Sequence, residues 1–165
     1  MQTKKREKTI VVVDGMGGGI GVQLVGKLRD ATGDNVEIIA LGTNAVAVER
    51  MVKAGAHRGA AGENAICNSV RLGDFIVGPI GIIIGNSMMG EITHSMAEAI
   101  LAAPGKRILL PLQNEHLTLA GLEGLPLAKM IERAVELVTE RLDLNYSHHN
   151  EIDEQAAKDI IKNLS

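Results

Sequence analysis

Five glycines within the seven residues 15–21 are the part of this sequence best suited to chemistry. An apolar, β-branched run precedes them at residues 10–13, and apolar residues with helical spacing follow, so the segment predicts a strand, a tight turn and a helix. Glycines let the backbone approach a ligand closely, and the helix presents unpaired N–H groups and a partial positive charge at its amino end. The turn is therefore predicted to bind an anion, most often a phosphate.

The spacing of these glycines does not fit the dinucleotide motif G-x-G-x-x-G, because Ile20 or Val22 stands where the third glycine is required. The sequence GMGGGIG instead resembles the G-x-x-x-G-I-G turn of the short-chain dehydrogenase/reductases. That resemblance implies that the turn carries the pyrophosphate of NAD(P). A turn that only packs the helix on the strand is the alternative interpretation. The predicted cofactor-binding residues here are Gly15, Met16, Gly17, Gly18, Gly19, Ile20 and Gly21.

Neutral residues follow the second predicted strand, where dinucleotide folds usually carry an acid for the ribose hydroxyls. Gly42, Thr43 and Asn44 stand there, and they are also predicted cofactor-binding residues. Because the acid is missing, we expect no preference for NAD over NADP, and Arg50 or Arg58 is a candidate contact for the extra phosphate. Asn44 has two interpretations that stay open, namely the N-cap of the next helix and a direct ligand contact.

A second glycine-rich loop follows the apolar run FIVGPIGIII, which begins at residue 75. Its Gly-Pro pair indicates the end of a strand. Because the carboxyl ends of parallel strands meet at one edge of the sheet, this loop and the first glycine turn are expected to face each other across a crevice. Gly78, Pro79, Gly81 and Asn86 complete the predicted cofactor-binding residues.

No catalytic residue can be assigned from the sequence. A short-chain dehydrogenase needs a tyrosine with a lysine four residues later, whereas Tyr146 is followed at that spacing by Asn150. A phosphate-binding G-x-x-x-x-G-K-[ST] loop and a G-x-S-x-G nucleophile turn are also absent from the sequence. Glu63, Glu91 and His94 are the general acid or base candidates, because their loops are expected to face the crevice.

Composition narrows the remaining function classes. A chain of 165 residues with 45% hydrophobic residues is the right size for one domain with a full core. A net charge of -3 and only two aromatic residues, Phe75 and Tyr146, argue against polymeric nucleic acid as a partner. With a single cysteine and no apolar run long enough to span a membrane, a cytoplasmic protein without membrane contact is expected. Cys67 is more typical of a core residue than of a nucleophile paired with His57 or His94.

Strands alternate with helices, which predicts a Rossmann-like, doubly wound α/β fold with a mainly parallel sheet and helices on both faces. The region before residue 74 is predicted as a polar loop with one short element, and a long amphipathic helix is predicted from Pro126. The predicted strands cover residues 10–13, 36–41, 75–77, 108–112 and 117–119.

The nucleotide-binding domain is predicted to span residues 1–144, followed by a polar, helical C-terminal tail at residues 145–165. This tail docks either on the domain or on a neighbouring subunit, so a homo-oligomer is one of the open alternatives. Its adjacent His148 and His149 lack the spacing that directs two imidazoles to one metal ion, and no metal site is predicted.

Four segments taken together, DGMGGGIG, ALGTNA, RGAAGENAI and VGPIGIIIGNSMMGEIT, resemble a bacterial family of Rossmann-like domains of unknown function. The resemblance extends to about residue 142 and implies the fold, but no particular activity. A nucleotide-binding protein, with NAD(P) as the first choice of ligand, is the leading hypothesis. A ligand-sensing module without turnover and an enzyme acting on a small phosphorylated metabolite are the alternatives.

Overall fold

The computed structural model of the chain describes residues 8–113 and 117–142, and a five-stranded parallel sheet lies at its centre. The strands are β1 (Lys8–Asp14), β2 (Val36–Gly42), β3 (Arg58–Ala61), β4 (Phe75–Pro79) and β5 (Lys106–Leu110). Their order across the sheet is β3-β2-β1-β4-β5, and every neighbouring pair is parallel. This is the strand order of the doubly wound dinucleotide-binding sheet, in which the winding direction reverses between β1 and β4.

Helices cover both faces of the sheet, as the sequence predicts. They are α1 (Gly19–Thr32), α2 (Ala45–Lys53), α3 (Glu63–Ser69), α4 (His94–Ala102) and α5, which covers residues 127–142. Because side chains alternate along a strand, β1 contributes to two separate cores. Ile10 and Val12 pack with α1, α2 and α5, whereas Val11 and Val13 pack with α3 and α4. The Rossmann-like, doubly wound fold is confirmed.

Strand β3 is a correction to the sequence prediction, which assigns this region to a polar loop. Its sequence, RGAA, has no apolar alternation, and most of its residues are exposed because β3 lies at the edge of the sheet. Backbone pairing with β2 holds it in place, with Ala40 opposite Gly59. The predicted strand at residues 117–119 is also wrong, since only an isolated bridge position forms there.

The ends of several helices agree with their sequence signals. The Thr93 hydroxyl accepts a hydrogen bond from the Met96 amide (3.2 Å) and so caps α4, and α5 begins directly after Pro126.

The predicted tail at residues 145–165 lies outside the described residues. Within the described ranges, no helix is both long enough and apolar enough to span a bilayer.

Candidate functional site

The glycine turn (residues 15–21) connects β1 to α1 at the carboxyl edge of the sheet, and a buried acid holds it in place. Asp14, the last residue of β1, accepts hydrogen bonds from the amides of Gly15 (2.8 Å) and Gly21 (2.7 Å). Burial raises the pKa of Asp14, and these backbone donors partly offset the rise. The carboxylate therefore satisfies two amides of the turn from inside the protein.

Asp14 is the important residue of this site that the sequence prediction missed. From the sequence it only interrupts an apolar run. The sequence does contain a signal for this role. Asp14 stands directly between a buried strand and the glycine turn, and it precedes Gly21, in the first turn of α1, by seven residues. At that spacing a side chain can reach back to the unpaired amides of the helix.

Two glycines of the turn are required for packing. Gly18 has a left-handed backbone with φ of 66°, and a Cβ atom there would lie 2.8 Å from the Cα atom of Ala47 in α2. A Cβ atom on Gly21 would overlap the Met51 side chain. The packing interpretation of the turn therefore applies to Gly18 and Gly21.

Gly17 and Gly19 have no such structural reason to be glycine. Both are exposed, and neither has a positive φ. A Cβ atom on Gly19 would meet nothing within 4 Å, and one on Gly17 would meet the Arg50 guanidinium at the ordinary distance of 3.4 Å. Within the described residues, neither amide donates a hydrogen bond. Neither packing nor backbone conformation therefore explains glycine at these two positions.

Asn44 acts as the N-cap that the sequence leaves as one of two interpretations. Its Oδ1 atom accepts a hydrogen bond from the Ala47 amide (2.9 Å) at the start of α2. Its Nδ2 atom donates to the carbonyl of Met16 (2.8 Å), so the same side chain also joins the end of β2 to the glycine turn. The adjacent Thr43 amide donates to the Asp14 carbonyl (3.2 Å).

The two arginines considered for a ligand phosphate lie in different places. Arg50 donates a hydrogen bond from its guanidinium to the carbonyl of Gly17, so a cation stands beside the glycine turn. Arg58 instead is the first residue of β3 and pairs with Glu37 (2.8 Å), the second residue of β2, so it lies away from the carboxyl ends of these strands. Only Arg50 of this pair therefore belongs to the candidate site.

The third group of predicted residues lies at the end of β4 and in the loop that follows it, which we call the β4 loop (residues 80–92). Gly78 and Pro79 are buried residues of β4, and a Cβ atom on Gly78 would overlap the carbonyl oxygen of Val13. Close pairing of β4 with β1 therefore explains this glycine. Gly81 lies in the short helical turn that opens the loop, and Asn86 has a left-handed backbone with φ of 68°.

Glu91 connects the β4 loop to the other two groups. Its Oε2 atom accepts hydrogen bonds from the Met16 amide (2.7 Å), from Asn44 Nδ2 (3.1 Å) and from the Thr43 hydroxyl. The hydrogen bond from Thr43, followed by the one from Met16, lowers the pKa of Glu91. These hydrogen bonds favour the ionised carboxylate, which lies against the glycine turn.

Strained backbone is concentrated in the glycine turn and the β4 loop. In the described ranges, the non-glycine residues with positive φ are Met16, Asn86, Met88 and Met89. L-residues adopt this conformation rarely, and it is found disproportionately at ligand sites and switch regions. Met16 and Met89 are also apolar side chains with exposed fractions of 50% and 92%. The two loops therefore present both strained backbone and apolar surface to solvent.

The other acid or base candidates do not join this cluster. Glu63 is exposed at the start of α3, with no hydrogen bond to the glycine turn in the described structure. His94 begins α4, and its Nε2 atom lies 3.3 Å from Asn86 Nδ2. Cys67 packs against the core as predicted, and burial raises its pKa, which disfavours a reactive thiolate. Across the described ranges, no three His, Cys, Asp or Glu side chains form a metal site.

The strand order and the turn between β1 and α1 define a Rossmann-like α/β protein. The chain belongs to the family described as a domain of unknown function, DUF3842, which matches residues 9–143. No match was found among curated proteins.

Two solved structures show limited similarity to the chain. One is a dodecameric FMN-dependent UbiX-like decarboxylase from Escherichia coli O157:H7, with 16% identity and a TM-score of 0.47 over 82% of this chain and 94% of that one. The other is a nucleoside-diphosphate-sugar epimerase from Pseudomonas aeruginosa, with 10% identity and a TM-score of 0.43 over 82% of this chain and 47% of that one. Similarity at this level identifies no ligand and no reaction.

Proposed function

We propose that this protein binds a nucleotide between the glycine turn and the β4 loop. NAD(P) is the first choice of ligand, and no catalytic reaction is assigned. The observation that carries the proposal is the pair Gly17 and Gly19. Packing and backbone conformation account for Gly18 and Gly21 but leave these two exposed glycines unexplained. A ligand that approaches the main chain accounts for them, and the likeness of GMGGGIG to a pyrophosphate-binding turn supports the same conclusion.

The charges around the turn suit a phosphate on one side only. The Arg50 guanidinium lies beside Gly17, and the exposed residues Gly17 and Gly19 lie at the amino end of α1. A charge-assisted hydrogen bond from this arginine would add about 1.5 to 3 kcal/mol, or roughly ten- to a hundredfold in affinity. On the other side lies Glu91, whose charge opposes an anion. We therefore place one phosphate of the nucleotide between Gly17, Gly19 and Arg50.

The residues after β2 determine which nucleotide is preferred. Gly42, Thr43 and Asn44 carry no carboxylate of their own for the two ribose hydroxyls and no charge that repels a 2′-phosphate, provided that Glu91 moves away from Thr43 and Asn44. We therefore expect NADP to bind at least as tightly as NAD.

Calorimetric titration with NAD, NADP, ADP and AMP tests the proposal. Gly19→Asp places a negative charge and added bulk where the phosphate is expected, whereas Gly26→Asp makes the same change two turns further along α1, where a Cβ atom also meets nothing within 4 Å. Gly19→Asp should abolish binding and Gly26→Asp should retain it, with only modest changes in thermal unfolding for both. Equal affinity in the Gly19→Asp variant removes the turn from the site.

Failure of the wild-type protein to bind any of the four compounds would contradict the nucleotide proposal. The ligand would then be a different phosphorylated metabolite.

A ligand-sensing module is the second candidate function. It is favoured by the single side chain, Glu91, that joins the β4 loop to the loops after β1 and β2. A loop held in this way can change position when a ligand binds, and a partner can detect that change. Turnover of a bound nucleotide by the purified protein would exclude this candidate. A cytoplasmic location is a further part of the proposal, and so is docking of the tail either on the domain or on a neighbouring subunit.

A further inference from the structure

One carboxylate oxygen of Glu91 gathers three donors that come from two other loops. The Met16 amide and the Thr43 and Asn44 side chains all donate to Oε2. Main-chain amides of a glycine turn are the groups that commonly bind phosphate oxygens in proteins. The Glu91 carboxylate therefore occupies, from within the protein, a position that suits an oxygen of a ligand anion.

The β4 loop lies directly on the glycine turn. A Cβ atom on Gly15 would be 2.8 Å from Met88 Sδ, 2.8 Å from Thr43 Oγ1 and 3.1 Å from Glu91 Oε2, so the loop and Thr43 together fill the space above this glycine. Entry of a phosphate beside Gly15 requires these side chains to move. In its present position the loop closes the part of the crevice next to β1 and β4.

The base of the β4 loop is buried, and its tip is a compact turn formed by hydrogen bonds within the loop, such as the one from the Glu91 amide to the Met88 carbonyl (3.1 Å). Ile82 and Ile92 are fully buried, and the Asn86 amide donates to the Ile92 carbonyl (2.7 Å) across the base. Between them, Met89 is 92% exposed and Gly90 has φ of 85°. In the described ranges, the hydrogen bonds from the tip to the loops after β1 and β2 are those that Glu91 accepts.

We infer that the β4 loop is a lid held closed by Glu91, and that a second phosphate of the ligand, on the Met16 side of the glycine turn, displaces the Glu91 carboxylate when it binds. The inference rests on the proposed function, because it takes a phosphate of that nucleotide, next to the one beside Arg50, as the displacing group. The buried Asp14 carboxylate already lies on the inner side of the turn. A phosphate added beside a second carboxylate would be repelled, so Glu91 moves away rather than remaining in contact with the ligand.

Two variants of Glu91 and one control test the inference. Glu91→Gln keeps the shape but removes the charge, and Glu91→Ala removes the contacts altogether. The control, Glu98→Gln, makes the same charge change at an exposed position of α4. Hydrogen exchange of the Met16 amide, measured by NMR without ligand, reports the closing contact. Calorimetry with ADP reports the effect on binding.

Both Glu91 variants should exchange the Met16 proton faster and bind ADP more tightly, and the Glu98→Gln protein should match the wild type in both measurements. If the closed lid is populated at about 90 to 99%, its loss raises apparent affinity roughly ten- to a hundredfold. Unchanged exchange, or ADP affinity in Glu91→Gln equal to or below that of the wild type, overturns the inference. A lower affinity would make Glu91 a ligand-positioning residue.

Failure of the proposed function gives a different pattern. If neither the wild type nor any variant binds ADP, the nucleotide is the wrong ligand. Exchange of the Met16 amide then decides the remaining question, since faster exchange in both Glu91 variants supports the closed lid and unchanged exchange contradicts it.

Discussion

Replacing Asp14 by alanine is expected to destabilise the fold strongly, although the residue lies at the very end of strand β1. Its carboxylate is the acceptor for the amides of Gly15 and Gly21, both in buried residues, at 2.8 and 2.7 Å. A buried donor left without an acceptor costs about 1 to 3 kcal/mol, so two donors cost about 2 to 6 kcal/mol. Burial of the charged carboxylate is unfavourable, as the raised pKa of Asp14 indicates, so removal of this charge offsets part of the cost. We therefore expect Asp14→Ala to lose about 2 to 4 kcal/mol of unfolding free energy.

Urea denaturation followed by circular dichroism measures this loss. Asp14→Asn is the matched comparison, because the amide keeps one acceptor oxygen and nearly the same shape, and it should lose about half as much as alanine. A loss below about 0.5 kcal/mol in Asp14→Ala, the range of an ordinary surface substitution, would show that these bonds do not hold the turn. An equal loss in both variants would show that the charge matters rather than the number of acceptors.

Three further predictions concern the pH profile, the packing glycine and the tail. Burial raises the pKa of Asp14 above its ordinary value of 3.8, so the unfolding free energy of the wild type should fall as the pH rises from 3.8 through the pKa of the folded state. Urea denaturation at a series of pH values measures this fall, and Asp14→Asn should not show it. Gly18→Ala should lower the unfolding free energy by about 2 kcal/mol or more, because the alanine would need a left-handed backbone and its Cβ atom would overlap Ala47. Thermal unfolding measures this loss, and unchanged stability would contradict the packing role of Gly18. Truncation after residue 144 should leave a folded, soluble domain by circular dichroism, whereas an unfolded product would show that the tail completes the core or a subunit contact.

Much of the fold could be predicted because its elements carry strong local patterns. Strands β1, β2 and β4 are apolar runs, and α4 has both a Thr93 cap and a helical apolar stripe. Strand β3 has neither feature. It is a short edge strand held by backbone pairing with β2, and backbone pairing leaves no trace in residue type.

The candidate site could be predicted only in part. The glycine turn stands out in the sequence, but five glycines look alike until the neighbours of each are known. Ala47 and Met51 of α2 assign Gly18 and Gly21 to packing, and both are more than 25 residues away in sequence. The contact between Glu91 and the Met16 amide joins residues 75 positions apart, so no local spacing could indicate it.

The most direct test of nucleotide binding at the glycine turn is native mass spectrometry of freshly purified protein, before and after addition of NADP. The wild type and Gly26→Asp should carry a bound mass corresponding to a mononucleotide or dinucleotide, and Gly19→Asp should carry none. A bound mass that persists in Gly19→Asp, a co-purified ligand without phosphate, or a wild-type protein that takes up no NADP would contradict the proposal.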